Sequence, residues 1–252
     1  MRISDPAFFF ALFLAFSLAL VHRGSAGAIP GLAGDRPEVP NSLMVLSDPT
    51  PLITMPVIPV VTIERAADAV PLARALLAGG LSVVEITLRT PSALEAVRAI
   101  VAEVDEIIVG VGTVVKALDV THAIDAGADF LVSPGTPANL AQALADAPVP
   151  ALPGCATASE AMTLAAFGFP VLKFFPAEPA GGVRWLNAVS EPLPDIRFCP
   201  TGGVNGGNAA SYLALRNVLA VGGSWVAPPA AIAAGDFAGI TARARVAAAL
   251  HR

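Results

Sequence analysis

The sequence predicts an α/β chain organised as a (β/α)8 barrel of the TIM type. Three observations carry that expectation. Short runs rich in β-branched residues recur at nearly even spacing, at 57–61, 82–88, 107–112, 129–133, 149–153, 171–175, 196–200 and 218–221. Ala- and Leu-rich stretches long enough for a helix separate them, and such alternation implies parallel βαβ units. Eight units fit within residues 51–252, near the ~250 residues usual for that barrel. An open doubly wound sheet is the alternative. No GxGxxG follows the first run, which argues against its dinucleotide-binding form.

The helices can be read between the runs. The spacing predicts a helix over 66–77, stopped by Gly79-Gly80, since glycine readily ends a helix in the left-handed region. Pro71 either starts that helix or kinks it. Over 92–104, Leu94, Val97, Ile100 and Val101 recur at helical spacing.

Composition narrows the function classes. The chain of 252 residues is 55% hydrophobic and 14% charged, with a mean hydropathy of +0.69. It can fill a large core, which excludes a disordered chain. The net charge of −5 argues against nucleic acid as a partner. Two cysteines, Cys155 and Cys199, are too few for a disulfide scaffold. His22, His122 and His251 show no metal-ligand spacing, so no metal and no cofactor is expected.

Residues 1–50 read as an extension separate from the body. Ala7 to Val21 is a nearly unbroken apolar run of fifteen residues, preceded by Arg2 and followed by Gly24-Ser25-Ala26-Gly27-Ala28. That is short for a membrane span, which needs ~20 residues, and resembles a secretory signal. Asp5 departs from the basic start of such signals. From Ile29 to Pro51 the chain is rich in Pro and Gly and lacks periodicity. Three readings stand: an export or anchoring signal, a dispensable extension, or translation beginning at Met44 or Met55.

In barrels of this type the chemistry gathers at the C-terminal ends of the strands. Polar residues fall there. Glu85, Thr87 and Arg89 end the second run, Thr113 follows the third, Pro134 follows the fourth, and Lys173 lies late in the sixth. Thr201-Gly202-Gly203 follows the seventh and Gly222-Gly223-Ser224 the eighth. Lys173 is the sharpest clue, because the chain has only two lysines against thirteen arginines. Strand side chains alternate faces, so Leu172 and Phe174 suit the helical shell while Val171, Lys173 and Phe175 point inward. By the same alternation Glu85, Thr87 and Arg89 oppose Val84, Ile86 and Leu88. A buried ammonium is costly, and a neutral amine can attack a carbonyl to form an imine. A carboxylate beside it can move protons, and an arginine can hold a substrate carboxylate. The two Gly-rich turns offer backbone N–H groups to phosphate. The bland alternative is an inward ion pair without chemistry. Lys116 reads as a solvated loop charge.

These segments resemble a known family. Val83-Val84-Glu85-Ile86-Thr87-Leu88-Arg89-Thr90, Gly110-Val111-Gly112-Thr113-Val114 and Ser133-Pro134-Gly135 stand in the order seen in 2-keto-3-deoxy-6-phosphogluconate (KDPG) aldolases. So do Leu172-Lys173-Phe174-Phe175-Pro176-Ala177-Glu178, Phe198-Cys199-Pro200-Thr201-Gly202-Gly203 and Gly222-Gly223-Ser224-Trp225. The resemblance covers about Met55 to Leu250. It implies a homotrimeric, cytoplasmic class I aldolase that cleaves a small phosphorylated keto-acid to pyruvate and glyceraldehyde 3-phosphate in the Entner–Doudoroff pathway, with 4-hydroxy-2-oxoglutarate (KHG) as a second substrate of many members. It implies Lys173 as the Schiff-base lysine and Glu85 as the general acid/base. Arg89, Thr113, Pro134, Phe175 and Thr201 would bind the substrate, and Gly202, Gly203, Gly223 and Ser224 its phosphate. Arg89 favours the gluconate branch over phosphogalactonate aldolases, which generally carry Asn there. Other function classes on the same scaffold are a different phosphosugar lyase or isomerase, or a non-catalytic phosphate-binding protein.

Overall fold

The computed structural model describes residues 48–50 and 53–250. The apolar run at 7–21 and most of the 1–50 extension lie outside the described residues. Strands and helices alternate: β1 (Val57–Val61), α1 (Ala69–Ala78), β2 (Val83–Thr87), α2 (Ala93–Glu103), β3 (Ile108–Gly112), α3 (Ala117–Asp125), β4 (Phe130–Val132), α4 (Ala138–Ala145), β5 (Ala151–Leu152), β6 (Gly154–Cys155), α5 (Ala158–Ala166), β7 (Val171–Phe174), α6 (Gly182–Val189), β8 (Arg197–Pro200), α7 (Ala209–Leu213), β9 (Val221–Gly223), α8 (Pro229–Ala233) and α9 (Phe237–Ala248). The ladders form two sheets, ordered β5-β4-β3-β2-β1-β9 and β6-β7-β8, with every strand pair parallel. Single bridges pair Phe198 with Val218 and Thr201 with Gly222. This is a parallel α/β architecture, although its ladders do not run unbroken round one sheet.

Two differences from the expected strands have local causes. The fifth run, 149–153, is realised as β5 and β6 on either side of Pro153. Proline has no N–H to give a ladder. Its carbonyl still accepts from Lys173 N at 3.0 Å, so β5 pairs with β4 while β6 pairs with β7. The last run is shifted toward its glycines, as Val221–Gly223, leaving Val218 in a single bridge to β8.

The first helix is preceded by a 3-10 turn, Ala66–Asp68. Pro71 sits in the first turn of α1, where backbone N–H groups have no intrahelical partner. It therefore neither kinks nor breaks the helix. In α2 the buried face is Ala93, Ala96, Val97 and Ile100. Leu94 is only partly buried and Val101 is exposed, contrary to expectation. Alanines let the helix lie close to its neighbours, so the contact face is turned toward Ala93 and Ala96, earlier in the sequence than the larger side chains suggest.

Strand alternation sorts the core into two clusters. Val57, Val84, Ile86, Leu131, Ala151, Leu172, Phe174 and Phe198 pack with the helices. Ile53, Ile58, Val83, Phe130, Val132, Leu152, Val171 and Cys199 form a second cluster on the helix-free face of the strands. Each pair of adjacent residues thus divides between the two sides.

Candidate active site

The order of residues along β7 fixes Lys173. Leu172 and Phe174 are drawn to the helix side, and Phe174 stacks on Trp185 of α6 at 4.3 Å between ring centroids. Lys173 is thereby turned to the helix-free face. On β2, Val84 and Ile86 face the helices, so Glu85 is turned the same way. The two meet: Lys173 Nζ lies 3.1 Å from Glu85 Oε1 and 3.5 Å from Oε2. Their side chains are only 5% and 4% exposed, so water screens this pair little. Gly112 makes room for the carboxylate, because a Cβ at that position would overlap Glu85 Oε1.

Above this pair is a pocket of about 240 Å³ lined in part by Arg89, Phe175, Thr201, Gly202, Gly203, Gly223 and Ser224. The Phe175 ring joins pocket to pair, with Lys173 Nζ 5.6 Å from its centroid. Arg89 is not on a strand as expected. β2 ends at Thr87, and Arg89 sits in the following turn, its N–H donating to Thr87 O at 2.8 Å. Its side chain still turns over the site: Nε donates to Thr113 Oγ1 at 3.1 Å. Thr113 has φ 60°, a left-handed conformation that is strained for a β-branched residue. Among the described residues Arg89 makes no ion pair, which leaves its charge for a ligand.

Thr113 and Pro134 do not line the pocket itself. Thr113 reaches it through Arg89. Pro134 packs against Gly154, whose register partner is Lys173. Thr201 is buried, and its bridge to Gly222 brings the two Gly-rich turns side by side. The first turn is tied down by Glu178, whose N–H donates to Gly202 O at 3.0 Å. Glu178 Oε1 accepts from Tyr212 and from Asn208 at 3.3 Å. Burial first, and then this contact, push the Tyr212 phenol above its ordinary value. Gly202 and Gly203 have φ 98° and 83°, and a Cβ on Gly203 would lie 2.6 Å from Glu178 Cβ. Only glycine fits there.

The cysteines are no nucleophiles. Burial pushes the Cys199 thiol up to about 12, against the opposing pull of Lys173. Burial also raises Cys155 to about 12, with Glu160 adding to it. Both therefore stay protonated at neutral pH. Lys116 is exposed and paired with Asp119 at 3.9 Å. Among the described residues no three His, Cys, Asp or Glu side chains gather as metal ligands would, and no helix is long and apolar enough to cross a membrane. Val60, Thr62, Val204, Ala227 and Pro229 also line the pocket and were not flagged by the sequence. Thr62 follows the last residue of β1, the same strand-end position that singled out Thr113.

A family model described as KDPG and KHG aldolase matches residues 50–243. The chain belongs to the KDPG and KHG aldolase family. It is 47% identical to the KHG/KDPG aldolase of Escherichia coli K12 over 194 residues, which are 77% of this chain and 91% of that protein. KDPG aldolase of Legionella pneumophila, solved with pyruvate captured as a covalent carbinolamine, superposes with a TM-score of 0.77 at 41% identity. The match covers 78% of this chain and 96% of that one. KDPG aldolase of Zymomonas mobilis ZM4, solved with 3-phosphoglycerate, gives a TM-score of 0.74 at 44% identity. It covers 84% of this chain and 95% of that structure.

Proposed function

We propose that this aldolase cleaves 2-dehydro-3-deoxy-6-phosphogluconate to pyruvate and glyceraldehyde 3-phosphate through an imine on Lys173, and that it also accepts 4-hydroxy-2-oxoglutarate, giving pyruvate and glyoxylate. The observation that carries the reading is the buried contact of 3.1 Å between Lys173 Nζ and Glu85 Oε1, beside a pocket edged by Arg89 and two Gly-rich turns. Its parts match the substrate's: an amine for the ketone, a cation for the carboxylate, and backbone N–H groups for the phosphate. The names of the relatives support it.

The chemistry follows charge flow. Glu85 takes a proton from the Lys173 ammonium across their contact, freeing the amine. Nζ attacks C2 of the substrate, and the carbonyl oxygen takes up a proton to give a carbinolamine. Glu85 returns its proton to the carbinolamine hydroxyl, which leaves as water, so the carboxylate is free again and a protonated imine remains that withdraws electrons from C2. Glu85 then removes the C4 hydroxyl proton, directly or through water. The C3–C4 bond breaks, its electron pair enters the enamine, and the aldehyde leaves. The proton held by Glu85 returns to C3, and water releases pyruvate from Lys173. One carboxylate serves each step because its protonation alternates.

The same proposal includes a closed (β/α)8 barrel. The Thr201–Gly222 and Phe198–Val218 bridges link β8 to the last strand, and Pro153 O to Lys173 N joins the other pair of sheet edges. It also includes a homotrimer in the cytoplasm, with residues 1–43 adding nothing to the catalytic body. Light scattering on the purified chain measures the assembly.

Borohydride reduction with pyruvate tests the central claim. A stable three-carbon adduct is expected on the peptide containing Lys173. Lys173→Arg is expected to lose both adduct and turnover, since guanidinium stays protonated near neutral pH. Labelling on Lys116 alone, or full activity of the arginine variant, would overturn the assignment.

A further inference from the structure

Thr62 lines the pocket at the residue just after β1, and its hydroxyl has a constrained proton. Thr87 is fully buried and donates its single hydroxyl proton to Val61 O at 3.0 Å. Thr87 Oγ1 also lies 2.9 Å from Thr62 Oγ1. With the Thr87 proton already placed, that second contact is a hydrogen bond only if Thr62 donates. The one proton of Thr62 therefore points into the protein, and its oxygen offers the pocket lone pairs alone. A ligand group in front of it must donate a hydrogen bond. An ionised carboxylate or phosphate oxygen has no proton to give.

Position decides which part of a ligand meets this oxygen. β1 lies between β2 and β9. Val60 is in register with Glu85 on one side, and Pro59 with Gly223 on the other. Thr62 thus stands between the strand that carries the proton-transferring carboxylate and the turn assigned to phosphate. In the phosphorylated six-carbon substrate the group between the reacting C4 and the phosphate is C5 with its hydroxyl. In 4-hydroxy-2-oxoglutarate the next group after C4 is a carboxylate. We propose that Thr62 is a specificity-determining residue, accepting a hydrogen bond from the C5 hydroxyl and disfavouring a carboxylate at that place. The inference rests on the aldolase reading above and deepens it.

The test uses the full chain in the direction of synthesis, adding pyruvate to two aldehydes: glyceraldehyde 3-phosphate and 3-oxopropyl phosphate, which lacks only the hydroxyl in question. The readout is the ratio of their kcat/KM values. Thr62→Val keeps the side-chain shape and removes the acceptor, so it is expected to lower the preference for the hydroxylated aldehyde roughly three- to tenfold, as for one neutral hydrogen bond. Thr62→Ser retains the oxygen and is expected to keep the preference. An unchanged ratio in Thr62→Val, or equal losses on both aldehydes, overturns the proposal. Borohydride trapping of pyruvate in the same preparations separates the two layers. An adduct with an unchanged ratio removes the role of Thr62 alone, whereas no adduct in the unaltered chain removes the aldolase reading and this role with it.

Discussion

Gly112 decides where the Glu85 carboxylate can sit, because any Cβ there would occupy the space of Oε1. Gly112→Ala is therefore expected to push the carboxylate off Lys173 while leaving the charge of the site unchanged. Turnover should fall by about a hundredfold or more, the scale of a lost general acid/base. Steady-state kinetics beside a circular dichroism spectrum would check this, and undiminished turnover would show that Glu85 need not hold its place. Single residues also show what the sequence could reveal. Lys173 was legible because an isolated charge in an apolar run leaves few options once the faces alternate. Glu85 was legible for the same reason. Arg89 was read as a strand residue, yet it lies in a turn; its length lets the guanidinium reach the site all the same. Thr62 was not legible, since its role depends on a proton committed to a neighbour twenty-five residues away, and a threonine after a strand is otherwise unremarked.

At the scale of elements, the start of α5 carries a reciprocal cap. Thr157 Oγ1 accepts from Glu160 N at 3.2 Å, while Glu160 Oε2 accepts from Ala156 N at 2.8 Å and Thr157 N at 2.9 Å. The Ala156 N–H, followed by Thr157, holds the Glu160 carboxyl below its ordinary range. A carboxyl lowered on folding stabilises the fold above its unfolded value, and the gain disappears as pH falls through the folded value. Thr157→Ala is expected to cost about 1 kcal/mol in urea unfolding at neutral pH. The stability gap between the unaltered chain and Glu160→Ala should narrow in acid, below the ordinary glutamate range. A gap that widens there would contradict the cap. This cap fixes the start of α5, the helix that links β6 to β7. Elements were read best where periodicity and punctuation agreed, as in α1 with its terminal Gly79. They were read less well where small side chains define a contact face, as in α2, or where one proline divides a strand, as at Pro153.

At the scale of the whole folded body, the helix-free cluster is closed from one end by Ile53, which is 1% exposed and packs with Ile58, Val83 and Val171. Thr50 joins it to the body by accepting from Arg197 Nη2 at 2.7 Å. A chain begun at Met44 keeps both residues and is expected to be as active as the full chain. A chain begun at Met55 loses both, and denaturant unfolding should show it less stable by about 2–5 kcal/mol, the range for losing a buried aliphatic side chain. Equal unfolding midpoints for the two would show that Ile53 adds nothing to the core. The alternation of strands and helices was legible because it follows from repeated local patterns. This plug was not, because a lone isoleucine in a Pro-rich stretch has no periodicity to mark it. The same helix-free face changes character along β1, β2 and β7: Ile58 gives way to Val60 and Thr62, Val83 to Glu85, and Val171 to Lys173 and Phe175. Cohesion and chemistry thus occupy successive positions of one backbone. Over evolutionary time the far ends of the strands can be rewritten for new aldehydes while the near ends go on specifying the same molecule.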